Sequence, residues 1–193
     1  MKLNILFLVA FASFVLPVSS CKKNNTTSSN SLPPATETGA NTFGCLINGQ
    51  AFTPGGGDGL EGGNLDAINQ YAYYTPGITN PTGYVFAVNA VNERSSTNIT
   101  SIGFRFDSVT MQQGMTYTFQ QIKAGQGGAQ YSYLSPTVDN TFNTSSLVTG
   151  QLSLTRFDLT AQIASGTFWF NVLDNNGDTI KITNGRFDVT FTQ

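Results

Sequence analysis

Between Gly166 and Phe191 the apolar residues recur with a period of two, and that period admits few arrangements of the chain. Phe168, Phe170 and Val172 share one face of a strand while Thr167, Trp169 and Asn171 share the other. Ile180 and Ile182 repeat the pattern on the way back. Residues directly opposite in an antiparallel pair lie on the same face, so a core face containing Val172 and Ile180 requires these two to pair. A two-residue Asn176-Gly177 loop would set Val172 opposite Lys181 instead. The register therefore predicts a three-residue loop, Asn175-Asn176-Gly177, closed by Asp174 and Asp178, with Gly177 in the left-handed conformation. Beyond Ile182 the apolar positions change parity to Phe187, Val189 and Phe191. One extra residue must be absorbed between them, and Asn184-Gly185 is the predicted bulge.

Upstream, Phe43, Cys45 and Ile47 alternate up to Asn48-Gly49. There a two-residue loop works, pairing Cys45 with Phe52 and Phe43 with Pro54. A glycine-rich loop follows over 54–64. Further strands are predicted at Tyr71–Tyr74, Tyr84–Val91, Ile99–Phe106, Met115–Phe119, Ala129–Leu134 and Gln151–Phe157, between clusters of Gly, Pro, Asn and Asp. With 15 Phe, 7 Tyr, 20 Gly and only 10% charged residues, residues 41–193 read as one all-β domain of about nine or ten strands. The expected arrangement is an antiparallel β-sandwich, with a closed β-barrel as the alternative.

The N-terminus reads as an address. Lys2 precedes an apolar run from Ile5 to Val18, signal-peptide length and too short to span a bilayer, so residues 1–20 are a predicted leader. Val18-Ser19-Ser20-Cys21 resembles the bacterial lipobox, in which cleavage before the cysteine leaves that residue carrying a thioether diacylglycerol. Two or three acyl chains, at about 0.8 kcal/mol per buried methylene, would hold the mature protein on a membrane. Residues 21–40 hold almost nothing apolar to bury and read as a lipidated flexible tether, with a coil dimension of roughly 25 Å and an extended limit near 60 Å. With Cys21 acylated, Cys45 has no disulfide partner and is expected to be a small buried hydrophobe.

Leu32-Pro-Pro-Ala-Thr-Glu-Thr-Gly-Ala-Asn-Thr-Phe-Gly-Cys-Leu-Ile-Asn-Gly49, with Ser165-Gly-Thr-Phe168, Gly177-Asp-Thr-Ile180 and Gly185-Arg-Phe-Asp188, resembles an uncharacterised family of lipoproteins from Bacteroidota. The resemblance covers both ends of the mature chain and its leading motif is specific. It implies an outer-membrane lipoprotein with a β-rich domain, and it implies no activity or site residue. Lys22 and Lys23 stand where surface-exported lipoproteins of this group often carry an acidic run, so the periplasmic face is expected.

The chain has no histidine, which removes the commonest general base, the Ser-His-Asp and Cys-His arrangements and most transition-metal sites. No phosphate-binding glycine loop or dinucleotide fingerprint occurs, and no cofactor is expected. Removal of Lys2 with the leader leaves a small excess of acidic residues and no basic cluster beyond Lys22-Lys23, so nucleic acid is not an expected partner. Arg-Phe-Asp occurs at Arg105-Phe106-Asp107, Arg156-Phe157-Asp158 and Arg186-Phe187-Asp188. On a strand it turns Phe inward and sets Arg and Asp outward, where a weak solvated pair is the expected role. Asp58, Glu61 and Asp66, and Asp174 with Asp178, sit in loops of the kind that hold calcium. Ordinary turn formation is the stronger reading of both, and no metal is expected. Trp169, Tyr71 and Tyr73, with Tyr74, Tyr131 and Tyr133, are candidates for a sugar platform. Asp107-Ser108-Val109 and Asp178-Thr179-Ile180 resemble the signal for periplasmic O-glycosylation in Bacteroidota, which nominates Ser108 and Thr179 as glycan attachment sites.

The expectation is a non-enzymatic, membrane-anchored envelope lipoprotein whose β-domain serves protein interaction or structural support, with a carbohydrate-binding module as the alternative. Labelled palmitate should enter the wild-type chain and be absent from Cys21→Ala; equal labelling of both would remove the anchor.

Overall fold

The computed structural model describes residues 31–56, 70–76, 83–95 and 97–193, of which 70–73 are described in the backbone alone. Twelve strands occur among them and no helix: β1 (Thr42–Ile47), β2 (Gln50–Phe52), β3 (Gly55–Gly56), β4 (Gln70–Pro76), β5 (Tyr84–Ser95), β6 (Asn98–Asp107), β7 (Thr116–Phe119), β8 (Gln126–Ser135), β9 (Val138–Asn143), β10 (Gly150–Asp158), β11 (Ile163–Leu173) and β12 (Thr179–Thr190). The all-β class holds. The strands form one continuous sheet in the order β2-β1-β12-β11-β10-β7-β8-β6-β5-β3, with β4 added beside β5 and β9 beside β8. Pairing is antiparallel except for β7 with β8 and β3 with β5.

The sheet curls until its inner face meets itself, so the two facing layers of the expected sandwich are parts of one ladder. Phe104 of β6 shows how. Its ring lies 5.6 Å from Phe119, 5.6 Å from Phe168 and 5.4 Å from Phe187, although β6 and β11 are separated in the ladder by β8, β7 and β10. Rings meeting across the interior bury large apolar area and add edge or tilted contacts, which a flat sheet could not offer. At one end the curl almost joins itself. Tyr74 N–H of β4 donates to Thr192 O at 2.8 Å, and the Tyr74 ring stacks on Tyr84 at 4.6 Å and stands edge-on to Phe157 at 5.3 Å.

Both hairpin registers follow the sequence. Cys45 pairs with Phe52, and the turn residues Asn48 and Gly49 have φ of 48° and 86°, the double left-handed turn that fits the twist of two strands. The ladder stops at that pair, which corrects the predicted match of Phe43 with Pro54. Phe43 faces Phe187 of β12 instead and reaches the Phe52 ring edge-on at 6.2 Å. In the second hairpin Val172 pairs with Ile180 and Gly177 has φ 86°. The bulge lies where the parity change requires it. Phe168 pairs with Gly185 and Phe170 with Ile182, so Trp169 faces two residues, and Asn184 takes φ 52°.

Two strands fall outside the sequence reading: β3, of two residues, and β9, whose Val-Asp-Asn-Thr-Phe-Asn has little apolar alternation to reveal it. β9 follows β8 through a two-residue Pro136-Thr137 turn that pairs Ser135 with Val138. Cys45 is buried in the core, as expected, and burial pushes its thiol pKa up. Gly177→Val should cost about 1 to 2 kcal/mol, because a β-branched residue is forced into the left-handed region, while Gly177→Asn should change much less. Chemical denaturation of the two variants checks this, and equal stability of the valine variant and the wild type would count against the loop.

Candidate functional site

The registers of β10, β11 and β12 lay out three rows of side chains on the outer face of the sheet. Ser165 lies between Arg156 and Asp188, and Thr167 lies between Ser153 and Arg186. In the third row Trp169 lies between Gln151 and the bulge. The first row is covered and the other two are open.

Residues 31–40 form a strap over the first row. Asp188, 0% exposed, receives Thr36 Oγ1–H at 2.7 Å, Thr38 N–H at 2.9 Å and Ala40 N–H at 3.0 Å on one oxygen. Its other oxygen receives Gly39 N–H at 2.8 Å and Ser165 Oγ–H at 2.7 Å. Successive backbone N–H groups converging on one carboxylate make an anion-binding nest, here closed around the protein's own side chain. Burial raises the Asp188 pKa, but the bonds from Thr36, Ala40, Ser165 and Thr38 outweigh it and hold the carboxyl well below the usual carboxylate range. Farther along the strap, Arg156 Nη1–H donates to Glu37 O at 2.6 Å. Pro33 rests on β1 so closely that a Cβ at Gly44 would lie 2.6 Å from its Cδ. Residues 33–40, which the sequence assigned to the tether below the expected boundary at residue 41, are thus docked on the sheet.

The Arg-Phe-Asp triplets therefore differ in role. Arg105 pairs with Asp107 at 3.3 Å and Arg156 with Asp158 at 2.9 Å. Asp158 also accepts N–H from Ala161 and Thr160; the Ala161 bond, with Arg156, lowers its pKa. Asp107, at 6% exposed, and Asp188 are buried, which corrects the expectation that the three acids are solvated.

The open rows form a groove of about 580 Å³, floored by Gln151, Ser153, Thr167 and Asn184 and flanked by Trp169 and, through Ala35, by the strap. Its volume is ligand-sized. Trp169 is 41% exposed, on the face opposite Phe168 and Phe170 as the alternation predicted. Among the described residues, Arg186 is the charged residue of the lining.

The other nominated residues are dispersed. Tyr71 and Tyr73 lie opposite Asn89 and Ala87 on β4, with five strands between β4 and β11 in the ladder, and their side chains lie outside the described residues. Tyr74 is turned inward, Tyr131 stacks on Phe142 and Tyr133 Oη–H donates to Asn98 at 2.7 Å. Asp174 Oδ1 accepts N–H from Asn176 and Asp178, both at 2.8 Å, the bonding of a turn-forming aspartate. Asp178 closes the loop through its backbone O, which accepts Asp174 N–H at 2.9 Å. Ser108 is half-buried with φ 57° and donates its hydroxyl to Asp107 at 2.9 Å, while Thr179 is exposed opposite Leu173. Cys21, Asp58, Glu61 and Asp66 lie outside the described residues. Comparison with protein-family models, curated proteins and solved structures gave no match.

Asp188→Ala leaves six donors without their acceptor, the Thr38 hydroxyl at 3.4 Å among them, and some regain water as the strap lifts, so a loss of about 3 kcal/mol is expected. A carboxyl whose folded pKa is depressed contributes stability above its unfolded value of about 3.9, and that contribution is lost as pH falls toward the folded value. Wild-type stability should therefore decline from about pH 4 downward, with a shallower decline in Asp188→Asn. Parallel acid titrations of the two chains would overturn this assignment.

Proposed function

We propose that this chain is a non-enzymatic, lipid-anchored envelope protein of the outer membrane, on its periplasmic side, that holds a saccharide in the groove beside Trp169. The observation that carries the reading is the setting of Trp169. An indole lies open on a rigid strand with amide and hydroxyl side chains at Gln151, Ser153, Thr167 and Asn184 around it. Sugar rings present an apolar C–H face and a rim of hydroxyls, and this groove offers an exposed indole and a rim of donors and acceptors. A glycosidase groove requires a pair of carboxylates about the scissile bond, whereas among the described residues the lining carries none, which supports holding rather than cleavage.

Protein interaction has weaker support. The exposed apolar residues Met115, Leu147, Leu159 and Leu173 sit on different loops and strand ends. The anchor rests on the lipobox at Cys21, and the periplasmic side on Lys22-Lys23.

Trp169→Ala should weaken binding of an oligosaccharide found by glycan-array screening roughly 30-fold, the cost of an aromatic anchor of about 2 kcal/mol, without lowering the melting temperature. Calorimetric titration measures it. Equal affinity of variant and wild type would move the site elsewhere, and an absence of binding to any glycan would remove the reading.

A further inference from the structure

The three Arg-Phe-Asp triplets provide an internal comparison. In two of them the arginine reaches the aspartate two residues on, Arg105 to Asp107 and Arg156 to Asp158. In the third, Asp188 is occupied by Thr36, Thr38, Gly39, Ala40 and Ser165, and among the described residues no carboxylate lies within ion-pair distance of Arg186. The guanidinium instead donates Nη1–H to Pro33 O at 3.3 Å and Nε–H to Asn184 O at 3.4 Å, both at the long limit of a hydrogen bond, and Nη2 makes neither contact. The strap thus uses the acid of the triplet and leaves the base facing the groove with its charge uncompensated. Arg186 is the neighbour of Thr167 across the strands, which places it diagonally from Trp169, and both line the groove. That placement suits a pyranose ring on the indole with a ring substituent on the guanidinium.

We propose that the groove selects an acidic saccharide, with the sugar ring on Trp169 and its carboxylate on Arg186. This rests on the saccharide reading above and names its class. A guanidinium fork matches a carboxylate in two parallel hydrogen bonds, whereas a neutral hydroxyl accepts one. With no acid in the lining among the described residues, a uronate meets no like charge there.

Trp169 is the single tryptophan of the chain, so its fluorescence reports the groove directly. The mature chain is titrated with oligogalacturonate and with a neutral galactose oligomer of equal length. The acidic oligomer should shift the emission at roughly tenfold lower concentration, with the difference shrinking as salt is raised. Arg186→Gln should bring the two probes to parity while still binding the neutral one. Arg186→Lys, which keeps the charge but not the planar fork, should keep part of the preference. A wild type that binds the neutral oligomer as tightly overturns the selection but leaves the saccharide groove standing. So does an unchanged preference in a folded Arg186→Gln. No emission change with either oligomer overturns the groove itself.

Discussion

One extra residue in β12 sets the placement of nearly everything on the outer face. Without the bulge at Asn184-Gly185, the period of two that buries Ile182 would carry Phe187, Val189 and Phe191 to the outside and turn Arg186 and Asp188 into the core. With it, both apolar sets face inward and the charged pair faces out. Trp169 stands opposite the inserted residue, where the ladder opens, so the same irregularity that keeps the core continuous also makes room for the groove.

Much of this was legible because it follows from local parity. The Val172 and Ile180 pair, the left-handed Gly177, the bulge and the outward Trp169 all come from counting apolar positions. The same count applied to β10 would have found a second irregularity: Leu152 and Leu154 give way to Phe157, and the register slips between Leu154 and Arg156. Ladder order was not legible. Whether two layers belong to two sheets or to one curled sheet depends on which distant strands pair, such as β10 with β7, and no local pattern carries that. The strap was missed for a different reason. Composition tests whether a segment has apolar surface to bury, but this segment is held by N–H and hydroxyl groups converging on one carboxylate.

The triplets show how weakly a short motif determines chemistry. In each, Phe turns toward the core and Arg stands on the other face, as alternation requires, yet the fate of the aspartate is decided by what passes over it. Beside Asp158 a turn passes and the ion pair survives alongside it. Over Asp188 the strap passes and the pair is absent. The charge exposed in the groove is therefore a consequence of how the N-terminal segment docks, about 150 residues away in sequence.

On the proposed anchor at Cys21, that docking would also shorten the distance between groove and membrane. A tether running from Cys21 to residue 40 would allow about 60 Å of reach, but the strap is held onto the domain from Pro33 to Ala40. On the proposed anchor at Cys21, the segment preceding Ser31 spans at most about 35 Å, and the groove begins directly beside the strap's first docked residues. The strap, which lines the groove through Ala35, would then also be the end of the tether. A saccharide wedged against Ala35 and Arg186 would bear on the contact between Arg186 and Pro33, and so on the docking of the strap. On these proposals ligand and anchor would meet at one short stretch of chain, whose attachment to the sheet rests chiefly on a single buried carboxylate.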